Sequence, residues 1–130
     1  MDSSWKIAYA VVIGGAIGSV CRLAVGQVLN VYGPLSTFLV NITGSFVLGV
    51  LAGYELERRI RQWLKRGIGT GFCGGLTTMS ALSKETFQYI EQGSILMFFV
   101  YSVGSVCMGL FFCFVGLQVG RKVGMVKSIW

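Results

Sequence analysis

The residues best suited to chemistry lie in one stretch, Gly71-Phe72-Cys73-Gly74-Gly75-Leu76-Thr77-Thr78-Met79-Ser80-Ala81-Leu82-Ser83-Lys84-Glu85. A glycine pair followed by two threonines is poor material for a continuous helix. Glycine costs about 1 kcal/mol relative to alanine in a helix interior, and the threonine hydroxyls compete for backbone partners. A break near Gly74–Thr78 is therefore expected. A break frees carbonyls that can coordinate a hard cation, and N–H groups that can face an anion. The bland alternative is a glycine kink healed by neighbouring helices.

Other residues share that chemistry. Asn41, inside an otherwise apolar run, carries two amide N–H donors that could meet a dehydrated anion or simply tie helices together. Hydroxyls at Ser80, Ser83, Thr37, Thr43, Ser102 and Ser105 could donate in the same way, although such groups commonly bond back to their own helix. Arg22 is the one guanidinium within the first apolar run. It either snorkels to headgroups or draws anions into a vestibule, as ionisable groups at that depth usually serve a function.

These groups need elements that can hold them in an apolar setting. The chain has 130 residues, enough for a single domain. It is 54% hydrophobic and 12% charged, far from the balance of a soluble domain. The apolar residues fall into four runs of about 7–30, 37–54, 67–88 and 94–119, each near the ~20 residues that cross a bilayer. Backbone groups in lipid must be satisfied internally, so the runs should be helices. The third turns polar in its middle. The charged segment 55–62 and the pair Arg121-Lys122 are expected to end the second and fourth runs. Glycines recur at spacing four in each run, at Gly14/Gly18, Gly49/Gly53, Gly71/Gly75 and Gly116/Gly120. Such stripes let helix backbones approach closely.

Charge and composition narrow the function. The net charge of +6 comes from residues in the connections, without the interleaved aromatics of a nucleic-acid stripe. No histidine is present, and Cys21, Cys73, Cys107 and Cys113 lie in apolar runs at no metal-like spacing. No candidate nucleophile has a base in its own segment, so an enzyme is not expected. The first run is too long for a cleaved leader and is expected to stay in the bilayer. Lys6, Arg58, Arg59, Arg61, Lys65, Arg66, Arg121, Lys122 and Lys127 would share one side, leaving Lys84 and Arg22 for the other. That bias puts both termini in the cytoplasm. The acids Asp2, Glu55, Glu57, Glu85 and Glu91 all avoid the middle of a span. A proton-coupled exporter would need a titratable carboxylate there.

Taken in order, these motifs resemble the Fluc (CrcB-type) fluoride channels along essentially the whole chain. Gly14-Gly15-Ala16-Ile17-Gly18 with Arg22 resembles the family's first helix, and Thr37 to Asn41 and Gly44 its second, with a pore-lining asparagine. Gly71 to Thr78 resembles its third, and Glu85 stands where the family has a glutamate. The resemblance implies an all-α membrane protein of the cell membrane, with four transmembrane helices per subunit and a break in the third. Two such subunits would form an antiparallel, dual-topology dimer with two fluoride pores. It also implies a structural sodium ion on the backbone carbonyls of Gly74 and Thr77. Asn41, Ser80, Met79, Leu82, Tyr101 and Ser105 would fall on the fluoride pore, Arg22 on a vestibule, and Ser83 and Glu85 on a polar track. Transport would be passive, releasing fluoride from the cytoplasm and so limiting its toxicity.

The chain also departs from the family. The family's box reads Thr-Thr-Phe-Ser-Thr-Phe, and here it is Thr77-Thr78-Met79-Ser80-Ala81-Leu82. Both phenylalanines, whose electropositive edges can face an anion, are replaced. A homodimer of opposite orientations also needs nearly balanced Lys and Arg, and this chain is lopsided. Since some family members occur as oppositely oriented pairs with one degenerate pore, the chain is expected to belong to such a pair. The alternatives are a small-ion exchanger and a non-conducting partner subunit.

Overall fold

The computed structural model describes residues 3–28 and 33–126, and every regular element among them is helical. Helix α1 is Ser3–Val28 and α2 is Pro34–Glu57. The third span is composite. It comprises α3 (Gln62–Arg66), a π-helical segment (Gly67–Cys73) and α4 (Gly74–Leu76), then α5 (Met79–Glu91) after the pair Thr77-Thr78. Helix α6 (Ile95–Val126) completes the chain. Among the described residues three helices are long and apolar enough to cross a membrane, and the interruption keeps the third span out of that class. The protein is an all-α membrane protein.

Local chemistry explains the boundaries. Pro34 opens α2, where its missing N–H costs nothing, and Gly33 supplies the positive φ of 77° before it. Helix α5 ends in a paired turn. Ser94 N–H reaches Tyr89 O at 2.8 Å and Gly93 N–H reaches Ile90 O at 2.9 Å, with Gly93 at φ 71°. That is the Schellman arrangement, which satisfies the last carbonyls of a helix through one left-handed glycine.

The glycine stripes are the packing surfaces. A Cβ on Gly14 would strike the Gly67 carbonyl, and one on Gly18 the Phe72 carbonyl; reciprocally, Gly71 abuts Val11 and Gly75 abuts Gly15. On the other side Gly49 and Gly53 lie against the carbonyls of Cys113 and Leu117, and Gly116 and Gly120 against those of Phe46 and Val50. The subunit is thus two tight pairs, α1 with the first half of the third span and α2 with α6. Few apolar side chains are buried, among them Val40, Cys73, Leu76 and Leu82, while Val12, Val20, Leu96, Leu110 and Phe114 face outward. Backbone-to-backbone packing with an apolar exterior is what lipid solvation favours, because burying leucine gains little against acyl chains.

The helices run past the expected spans at several ends. The fourth runs on to Val126, so Arg121-Lys122 does not stop it. Arg121 instead pairs with Glu57 at 3.3 Å, and Gly124 packs on Glu57. At 1.5 Å per residue α6 is ~48 Å long, well beyond the hydrocarbon thickness. The second span starts three residues early at Pro34 and continues to Glu57, and the third starts at Gln62, with Lys65 held to Glu55 at 2.6 Å. A basic residue in a helix is no terminator once a carboxylate faces it. Asn30, Val31, Tyr32, Asp2 and Lys127 lie outside the described residues. The start of α1, the 57–62 connection and the end of α6 share one end of the bundle, as Gly67 on Ala10 and Arg58 on Gly124 O indicate.

Candidate functional site at the break in the third span

The break falls at Thr77-Thr78. Both residues are extended, with φ/ψ of −79°/158° and −148°/122°. Thr77 N–H still closes on Cys73 O at 2.9 Å, so the first half-helix ends on its own ladder. Thr78 N–H would close on Gly74 O in an unbroken helix, but it donates to Asn41 Oδ1 at 2.8 Å. Asn41 Nδ2 in turn donates to Thr78 O at 3.1 Å. One amide side chain therefore satisfies both backbone groups of Thr78, as a neighbouring strand would. Thr78 also caps α5, its hydroxyl accepting from Ala81 N–H at 3.2 Å.

Those bonds leave carbonyls free. Gly74 O has lost its helical donor, and Gly74 is exposed, with nothing within 4 Å of where a Cβ would stand. Thr77 O accepts one bond, from Arg22 Nη1 at 3.2 Å. The Thr77 hydroxyl donates back to Cys73 O at 2.9 Å, and its methyl lies against Gly44. Neutral carbonyl oxygens of this kind suit a hard cation such as sodium. Two from one subunit are too few to replace its hydration shell.

Two open crevices flank the break. One, of about 360 Å³, is lined by Arg22, Gln27, Ser36, Thr37, Thr78 and Ser80, among others. Ser80 Oγ sits 3.1 Å from Thr78 Oγ1 there. The other, of about 340 Å³, is lined by Asn41, Ser45, Cys73, Gly74, Thr77 and Met79, among others. Met79 is largely exposed on its rim.

A second polar cluster lies beside the first turn of α2. The buried Glu85 accepts from Thr37 Oγ1 at 2.8 Å and from the Tyr101 hydroxyl at 2.6 Å. Tyr101 Oη is also 3.1 Å from Pro34 O, and its ring packs edge-on against Tyr89. Although Glu85 does stand near one end of its span, it is only 8% exposed, with α2 and α6 supplying its partners. Each Glu85 oxygen thus has a hydroxyl donor within hydrogen-bonding distance.

The sequence-derived residues thus divide. Arg22, Asn41, Gly74, Thr77, Met79 and Ser80 gather around the break. Glu85 and Tyr101 form the second cluster, and Thr37, which lines the first crevice, joins the two. Ser105 is buried on the Tyr101 face of α6 with a hydroxyl lacking any partner among the described residues. Leu82 is placed in the core of the subunit at 7% exposure, on neither crevice. Ser83 is exposed. Sequence reasoning missed Thr78 as the partner of Asn41. Its position as a threonine opening a new helix was the available signal.

The chain has relatives. A family model described as "CrcB-like protein, Camphor Resistance (CrcB)" matches residues 9–117. The chain is 43% identical to "Fluoride-specific ion channel FluC 2" of Bacillus licheniformis, with 88% of this chain and 86% of that one aligned. It is 38% identical to "Fluoride-specific ion channel FluC 2" of Bacillus subtilis strain 168 over 95% and 94% of the two chains. To "Fluoride-specific ion channel FluC" of Aquifex aeolicus it is 33% identical over 90% and 98%. With its break, its glycine stripes and its relatives in agreement over nearly the full length, the chain belongs to the CrcB-like family.

Proposed function

We propose that the chain is a subunit of a fluoride channel that lets fluoride leave the cytoplasm passively across the cell membrane. The observation that carries this is the interrupted third span, where an amide, hydroxyls and a guanidinium converge on freed backbone beside two open crevices. Fluoride holds its hydration shell tightly, so a path for it must offer close N–H and O–H donors in exchange. Asn41 has one amide N–H beyond the one given to Thr78, and Ser80 and Arg22 add others. The relatives' names point the same way.

Two subunits are needed on this proposal. Met79 on its rim, exposed Gly74 and the apolar outer faces of α1 and α6 leave surface for a second subunit. Its matching carbonyls would complete a sodium site on Gly74 and Thr77. When bound, sodium supplies the positive charge that holds the opened backbone of two subunits together. The basic end of the bundle faces the cytoplasm in this chain, with both termini there.

A fixed orientation favours an oppositely inserted paralogue as partner over a second copy. The replaced aromatics add support: Met79 is on a crevice rim, but Leu82 is buried and offers a pore nothing. Fluoride efflux from liposomes tests both parts. The chain with its paralogue should release fluoride with sodium present and much less without it, and the chain alone should release little. Full release by the chain alone ends the paired reading; no fluoride release from any combination ends the channel reading.

A further inference from the structure

We infer that Arg22 couples an anion in the crevice to a cation on the Thr77 carbonyl, so that fluoride and sodium strengthen one another's binding. This rests on the sodium site proposed above. The starting observation is the bond from Arg22 Nη1 to Thr77 O at 3.2 Å, between α1 and the break. A guanidinium carries five N–H donors, and this is the one contact assigned to Arg22 among the described residues. No carboxylate among the described residues pairs with it. Its charge and its remaining donors therefore belong to the crevice that it lines with Gln27, Ser36, Thr37, Thr78 and Ser80. A small anion is the ligand that such a set accepts.

The same guanidinium stands on the oxygen that a cation would use. Arg22 and a cation on Thr77 O would be two positive groups on one acceptor, so Arg22 opposes cation binding while the crevice is empty. An anion in the crevice changes this in two ways. It offsets the guanidinium's charge, and it competes with Thr77 O for the N–H donors. Cation affinity then rises, and by thermodynamic necessity the cation raises anion affinity by the same factor. Couplings of this type are commonly 5- to 150-fold. A cation-filled break would then retain fluoride in the crevice, and fluoride would favour an ordered break.

The test uses the assembled dimer in neutral detergent and follows its unfolding temperature as sodium gluconate replaces choline gluconate. For the wild type, adding fluoride should lower the half-saturating sodium concentration at least fivefold. Arg22→Met keeps the apolar stem without the charge. It should bind sodium on the order of tenfold more tightly without fluoride, and fluoride should no longer shift the midpoint. Arg22→Lys, which retains charge, should track the wild type. Equal half-saturation in wild type and Arg22→Met overturns the inference, as does a fluoride shift that survives in Arg22→Met. Should Arg22→Met fail to fold, the wild-type cross-titration decides, since independent sodium and fluoride effects refute the coupling. If the wild type shows no sodium-specific stabilisation at all, the sodium site itself fails and the coupling falls with it. Sodium stabilisation without fluoride linkage removes the coupling alone.

Discussion

Replacing Asn41 separates the two roles its side chain could have. Its amide accepts from Thr78 N–H at 2.8 Å and donates to Thr78 O at 3.1 Å. Asn41→Ala removes both partners from a backbone pair that has no helical substitute. An orphaned buried polar group costs about 1–3 kcal/mol, and the site is only partly buried, so about 2–3 kcal/mol for the pair is a fair expectation. At roughly 4 °C per kcal/mol for a chain of this length, the unfolding midpoint should fall by about 8–12 °C. Asn41→Asp keeps the acceptor but turns a carboxylate oxygen toward the Thr78 carbonyl, and should destabilise by about 1–3 kcal/mol. Thermal unfolding of the purified protein and fluoride efflux from liposomes are measured side by side. If Asn41 acted only as an ion ligand, Asn41→Ala would lose flux at an unchanged midpoint. That outcome would refute the claim that Asn41 holds the break together.

Four other expectations follow from the packing. Gly116→Ala should drive a Cβ into the Phe46 carbonyl and separate α2 from α6, lowering stability by about 1–3 kcal/mol in thermal unfolding. In the second cluster, Glu85→Gln and Tyr101→Phe should each cost about 1–2 kcal/mol, and the double variant should cost clearly less than their sum, read from a double-mutant cycle. Met79→Phe should fold normally because the side chain is exposed, whereas Leu82→Phe should overpack the core by about 1–3 kcal/mol in the same assay. Replacing Arg58, Arg59, Arg61, Lys65 and Arg66 together with glutamine should convert a single orientation into a mixture, scored by reporters fused to the C-terminus.

The glycine spacing disclosed the helix pairing well, because four stripes at spacing four have few uses other than close backbone contact. The break was legible from Thr77-Thr78, where the chain does leave the helix, whereas Gly74-Gly75 stay helical and Gly75 serves packing against Gly15. What held the break open was not legible. That Asn41 bonds to the main chain of Thr78 depends on α2 and the third span meeting at one height, which no local pattern encodes. The same is true of Arg22 and Thr77, 55 residues apart in sequence. Glu85 was expected on a polar track, but its enclosure by Thr37 and Tyr101 from two other helices is written in no local pattern. Nor does the sequence around Arg121 show that α6 continues past it, since its partner Glu57 lies on α2.

The two glycine-welded helix pairs have a mechanical consequence. Each pair is stiff, because shifting one backbone means riding over another's carbonyls, while the seam between pairs is held chiefly by side chains. Both crevices and the Asn41 clasp lie along that seam, while the Glu85 cluster fastens α5 to the second pair. Any breathing of the subunit is therefore concentrated around the two crevices, between two stiff helix pairs.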